Sequence, residues 1–226
     1  LDEGLVLVLV VGGAIALIAA IAASAAAHEK KVKALKEWAG RNGWRYQEER
    51  PELVEYFEGT PFTGRGKAEH VLTGAHRGHR MTQFEYSYTT TSNNGQTTVT
   101  HTHRYRITAL ETPHPTPVLE VKDSHFGHAL LDLLGMHDFR LDDPEFDTAF
   151  RVATSDDGFA RAVLPREVRD WLTVLPIGHR YPLRFTGDHV ICWEKAPMGH
   201  EPDLRPADFL ADLFERVPDE VWERKG

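Results

Sequence analysis

Between Leu5 and Ala27 the chain carries no charged side chain, and this run of 23 residues constrains everything that follows it. As a helix rising about 1.5 Å per residue it is about 34 Å long, enough to cross a hydrocarbon core of about 30 Å. The core helix of a soluble domain rarely runs so far without a polar position turned to water. Residues 1–27 are therefore read as a transmembrane anchor. The rival reading is a cleaved signal peptide, because Ala23-Ser24-Ala25 resembles a small-x-small cleavage site. A signal peptide needs a basic start and a shorter apolar stretch, whereas this one begins with Asp2 and Glu3.

Within the span Gly12, Ala16, Ala20 and Ser24 recur every fourth residue and form one strip of small side chains. Such a strip lets two helices approach closely in lipid, so self-association or pairing with another transmembrane helix is expected of it. With nine alanines in the run, such strips also arise by composition alone.

Charge is distributed unevenly. The formal net charge is −8, yet residues 28–45 hold six Lys/Arg against Glu29 and Glu37, which leaves an acidic body beyond Arg45. An acidic body repels phosphate, so nucleic acid is not expected as a partner. No Lys or Arg precedes the span, and Lys30, Lys31, Lys33 and Lys36 follow it at once. The positive-inside rule then predicts a single-pass protein of the cell membrane, its N-terminus outside and its C-terminal domain cytoplasmic. The four lysines can draw the bilayer's anionic lipids or simply stay solvated. A single cysteine permits no internal disulfide, and none of the three asparagines opens a glycosylation sequon.

Residues 28–43 continue as a basic juxtamembrane helix with Val32, Leu35, Trp38 and Ala39 on one face. Residues 44–226 have the aromatic and aliphatic content of a folded α+β domain, antiparallel hairpins packed with several short helices. Arg77-Gly78-His79 turns one strand into the next. Asn94-Gly95 predicts a two-residue type I′ hairpin turn. That loop pairs Tyr88 with His101, Tyr86 with His103 and Phe84 with Tyr105 on an aromatic face. It pairs Glu85 with Arg104 on a polar one. Pro113, Pro115 and Pro117 are expected to break the sheet, with two halves joined near 112–117 and a short strand over Val118–Val121. Ser124 is expected to cap a helix through Leu134, and Leu183–Trp193 to fold back through Gly187-Asp188 as a second hairpin that pairs Cys192 with Leu183. Phe150–Val152 reads as a strand, and helices are expected after Asp156-Asp157, around Trp171 and over Pro206–Val217.

Thirteen histidines invite a metal reading. His101 and His103 project from one strand face, a spacing that can serve a metal, with His76, His79, His125 and His128 as possible additions. No carboxylate or cysteine lies in the same local run, and stacking on Tyr88 and Tyr86 satisfies both rings equally well. Cys192 sits on an apolar strand face, where a thiol is usually inert. Asp142-Asp143 and Asp156-Asp157 suit turns and helix caps better than acid–base work. The phosphate-binding loop, the dinucleotide turn, the nucleophile elbow, H-E-x-x-H and paired C-x-x-C are all absent from the sequence. No cofactor and no catalytic residue is assigned.

With these residues in hand, the chain resembles a family of uncharacterised bacterial proteins, single-pass and membrane-anchored, with a cytoplasmic α+β domain of unknown function. The resemblance lies in Asn42-Gly43-Trp44 and in Gly74-x-His76-Arg77-Gly78 leading to Phe84-x-Tyr86-x-Tyr88. It continues in Phe146-Asp147-x-x-Phe150-Arg151-Val152 and in Val217-Pro218-x-x-Val221-Trp222. It implies the architecture and brings no substrate, cofactor or site residue. The sequence thus points to a membrane-tethered interaction or scaffold domain, with the lipid bilayer and a protein or its own copy as partners. A histidine–metal binding or catalytic domain is the alternative.

Overall fold

The computed structural model describes residues 3–93, 95, 97–124 and 135–223, with side chains from Val11 onward. Helix α1 runs unbroken over Glu3–Asn42, so the apolar run and the basic segment form one rod. Forty residues make it about 60 Å long at 1.5 Å per residue. It is the one helix among the described residues long and apolar enough to cross a membrane, and the residues from Val11 to Ala27 are all exposed.

The body is an antiparallel sheet of seven strands with short helices. Strand β1 is Arg45–Glu49, β2 Lys67–His76, β3 His79–Asn93, β4 Thr98–Asp123, β5 His137–Phe139, β6 Phe150–Thr154 and β7 Leu183–Glu194. The order is β1-β2-β3-β4-β6-β5, with β7 lying along β4. The helices are α2 Glu52–Tyr56, α3 Pro144–Ala149, α4 Asp157–Val163, α5 Arg166–Val174, α6 Arg205–Arg216 and α7 Asp219–Glu223.

Local chemistry accounts for most of these elements. Arg77 and Gly78 take φ values of 50° and 85°, the two left-handed positions of a type I′ turn, and close the β2–β3 hairpin as expected. The Asp143 carboxylate accepts from Phe146 N–H at 3.3 Å and that of Asp156 from Phe159 N–H at 2.8 Å, capping α3 and α4. In α6, Phe209, Leu210 and Leu213 are buried, as their spacing predicts. The helix expected over 124–134 falls almost wholly outside the described residues, and so do His125 and His128.

Two expectations are corrected. The β3–β4 ladder pairs Asn93 with Thr98, Tyr88 with His103, Tyr86 with Tyr105 and Glu85 with Arg106, two residues out from the predicted register. Gly95 N–H donates to Asn93 Oδ1 at 2.7 Å, an Asx-type bond inside a loop longer than two residues. A shift of two keeps every side chain on its predicted face, so the segregation of faces stands.

The prolines do not end a strand. β4 passes through Val118–Val121 as one strand of 26 residues, its ladder to β7 shifting register between Glu111, Thr116 and Leu119. Proline fits extended backbone but brings no N–H, so the strand bends where its ladder thins.

β7 does fold back, with Gly187 at φ 55° and Trp193 N–H donating to Pro182 C=O at 3.3 Å. That bond lies in the predicted register, in which Cys192 faces Leu183, and on its other side each arm pairs with β4, Cys192 opposite Thr108 and Leu183 opposite Val121.

Both faces of the sheet are covered. Leu53, Phe57, Phe62, Phe84, Ile107 and Trp193 form one core beneath α2, and a larger core joins the opposite face to α3–α7 and the end of α1. The polar face is therefore inside as well, with Gln83, Glu85, Arg106 and Thr108 all nearly inaccessible.

Candidate functional site

The most constrained polar region is the junction where α1 leaves the membrane-type segment and meets the sheet. Leu35 and Ala39 bury one face of the helix, and Trp44 N–H donates to Ala39 C=O at 2.9 Å, ending it. The Trp44 ring packs edge-on to Trp38, with centroids 5.6 Å apart, and lies over Gly74. A Cβ at Gly74 would stand 2.4 Å from that ring, so the close approach needs glycine.

One turn pair nearer the apolar segment, Lys31 Nζ donates to Glu85 Oε2 at 3.1 Å. Glu85 is 4% exposed and also accepts from Met198 N–H at 2.7 Å, while Arg104 Nε lies 3.2 Å from its other oxygen. The pair predicted between Glu85 and Arg104 thus forms, diagonally across the ladder. Farther along, His28 Nε2 meets Glu48 at 3.1 Å, and the Tyr46 hydroxyl meets His70 Nδ1 at 2.8 Å. Burial, reinforced by the Lys31 charge, lowers the His70 pKa to about 4. Burial together with Glu48 and Glu69 raises that of Tyr46 to about 12.

The juxtamembrane lysines are accordingly not equivalent. Lys31 is committed to Glu85, Lys36 lies 5.7 Å from the centroid of the Tyr46 ring, and Lys33 stands 4.0 Å from Glu37 on the exposed side. Lys30 is exposed. Gly12, Ala16, Ala20 and Ser24 are exposed along α1.

His101 and His103 stand on the outer part of β4. His103 stacks on Tyr88 at 4.7 Å and meets the Thr90 hydroxyl at 2.9 Å, and His101 faces solvent. His76 instead reaches Asp208 at 2.7 Å, and His79 packs on Phe214. Among the described residues no three His, Cys, Asp or Glu gather in a metal-sized cluster.

A second charged centre gave no sequence signal. Arg184, 1% exposed, binds Glu120 through Nε at 2.8 Å and Thr60 C=O at 2.7 Å, and its guanidinium lies 5.1 Å from the Trp193 ring. Lys122 pairs with the other Glu120 oxygen. Glu120 and Arg184, 64 residues apart in sequence, stand directly opposite each other in the β4–β7 ladder. Every charge there has a partner, so the cluster reads as a structural clasp of β4, β7 and the Glu58–Thr60 loop. Cys192 is fully buried and its thiol pKa is pushed well up by burial. A surface hollow of about 550 Å³ opens beside β1 between Arg45, Tyr46, Arg50, Glu52 and Thr73, where Arg50 and Glu52 pair with each other at 2.8 Å. A smaller apolar one of about 160 Å³ lies between Trp171, Leu175, Tyr181 and Phe209.

The fold has a counterpart. The crystal structure of the mycobacterial trehalose monomycolate transport factor A, TtfA, superposes with a TM-score of 0.57, covering 83% of this chain and 96% of that one. Sequence identity is 13%, so what the two share is the fold. No protein-family model and no curated protein matches the chain.

Proposed function

We propose that this chain is a non-enzymatic, membrane-tethered interaction domain, standing on the cytoplasmic side and holding a protein partner at the bilayer. The observation that carries this reading is the unbroken helix from the apolar segment into the core, where Leu35, Ala39 and the Lys31–Glu85 pair fasten it. A flexible tether would only raise local concentration. A docked rod fixes the height and orientation of the sheet above the membrane, which is what an adaptor for a membrane assembly needs. The likeness to TtfA supports the same direction, since that protein is described as a transport factor for trehalose monomycolate. By that analogy this domain serves as an accessory factor in the transport of a glycolipid.

Cross-linking of the full chain in native membranes, followed by identification of what is captured, tests the proposal. An integral membrane protein captured by the intact chain, and lost when Leu35 is replaced by Asp, is the expected result. Capture of the chain's own copies alone would overturn the adaptor reading. Protease added outside intact cells should leave the domain whole, and its digestion would reverse the orientation.

A further inference from the structure

The direction of α1 tells where the bilayer lies relative to the sheet. Contacts run in step along the helix and strand, from Trp44 over Gly74, itself opposite Met81, to Lys31 on Glu85. Ala39 to Lys31 is about 12 Å along a helix, and Met81 to Glu85 about 13 Å along a strand, so α1 and β3 lie nearly antiparallel. Toward its N-terminus α1 enters the apolar segment at Ala27, about 6 Å beyond Lys31. In the same direction β3 continues from Glu85 to Asn93, about 26 Å.

Beyond Ser87 the β3–β4 hairpin has left its neighbours. The β2 ladder ends at Lys67 opposite Ser87, and the β7 ladder at Glu194 opposite Arg106. What projects is a two-stranded ribbon pointing at the level where the span begins. Neighbouring strands are rotated by about 20–25° relative to one another, which lets a ribbon that has left its neighbours diverge from the line of α1.

Its composition fits that position. From Ser87 to His103 there are 17 residues and not one Asp, Glu, Lys or Arg, in a chain where 27% of residues are charged. Thr, Ser and Asn line it, Val99 is 42% exposed, and half-exposed Tyr88 and Tyr105 stack at 6.2 Å near its base. Tyrosine at the headgroup level is a feature of membrane interfaces, and an uncharged ribbon enters that layer without the cost of desolvating ions. At the base Lys67 and Arg104 both stand opposite Ser87, Arg104 pairing with Glu85 and the Ser87 hydroxyl donating to Glu69 at 3.4 Å, while exposed Lys195 acts on the Tyr88 phenol.

We infer that the β3–β4 ribbon is a second membrane contact, lying on the headgroups of the bilayer that α1 spans, with Lys67 and Lys195 drawing anionic lipid to its base. The inference rests on the reading of α1 as a span. Together, span and ribbon would fix the domain at two points, so that it could not swivel about the helix.

The full chain is reconstituted into phosphatidylcholine vesicles with or without phosphatidylglycerol. An environment-sensitive fluorophore is placed through Val99→Cys or, as a control on exposed α5, Val174→Cys, with buried Cys192 left unlabelled. The Val99 probe should shift to the blue and be quenched by headgroup-region spin-labelled lipid, more strongly with phosphatidylglycerol, while the Val174 probe stays unshifted. Lys67→Glu with Lys195→Glu should remove the phosphatidylglycerol dependence. Retention of the chain through alkaline carbonate reports the span separately. A retained chain whose Val99 probe is unshifted, or shifted equally in both lipids, overturns the ribbon contact alone. A Val99 probe protected only in native membranes assigns the ribbon to a protein and overturns it as well.

Discussion

Lys31 on α1 and Glu85 on β3, 54 residues apart in sequence, meet at 3.1 Å with the carboxylate almost wholly buried. Glu85 also takes Met198 N–H and faces Arg104, so one side chain ties the membrane-type helix, the β3–β4 hairpin and the segment after β7 together. Glu85→Gln keeps the shape and removes the charge that two cations share. The expected cost is on the order of 2 kcal/mol in urea unfolding of the detergent-solubilised chain. Faster proteolytic nicking near Asn42-Gly43 should accompany it. Unchanged unfolding and unchanged nicking would mean that α1 is held by its apolar face alone.

Gly74→Ala should act on the same junction from the other end. Its Cβ falls 2.4 Å from the Trp44 indole, which must move and loosen its contact with Trp38. A loss of about 1–3 kcal/mol is expected, as for other over-packed cores. Gly178→Ala, where nothing lies within 4 Å, is the control that should leave thermal unfolding where it was.

His70 makes the junction sensitive to acid. Its folded pKa is about 4 against an ordinary 6.5, so between these values the unfolded chain takes up a proton that the folded one refuses. Stability is fully present above pH 6.5, declines as pH falls toward 4 and then levels off, with a total loss on the order of 3 kcal/mol. His70→Asn, which tolerates the positive φ of 54° at this position, should flatten the pH dependence of the unfolding midpoint over that window. An equally steep profile in the variant would move the origin of the effect elsewhere.

The small-residue strip on α1 predicts a directional effect. Gly12→Ile or Ala16→Ile should weaken helix–helix association in a membrane reporter, and Ala14→Ile, on another face, should not. Equal signals from all three would leave α1 as a plain anchor.

What the sequence determined by itself was the local chemistry and the parity of each strand. The 23-residue uncharged run, the Arg77-Gly78 turn, the Asp143 and Asp156 caps and the amphipathic face of α6 rest on neighbours within a few residues, which the chain order displays. Alternation likewise placed Phe84, Tyr86 and Tyr88 on one face of β3 and Gln83 and Glu85 on the other. Alternation has a period of two, however, so it could not separate the predicted register from one displaced by two residues; the longer loop after Asn93 decided that. Tertiary structure alone decided what covers the polar face, because α1 and the segment around Met198 arrive there from opposite ends of the chain. It also decided that three prolines bend one long strand, since β6 and β7 supply partners to β4 on the far side of the bend. The Glu120–Arg184 clasp was illegible for the same reason: a buried charge is tolerated only beside a partner, and the partner is 64 residues away.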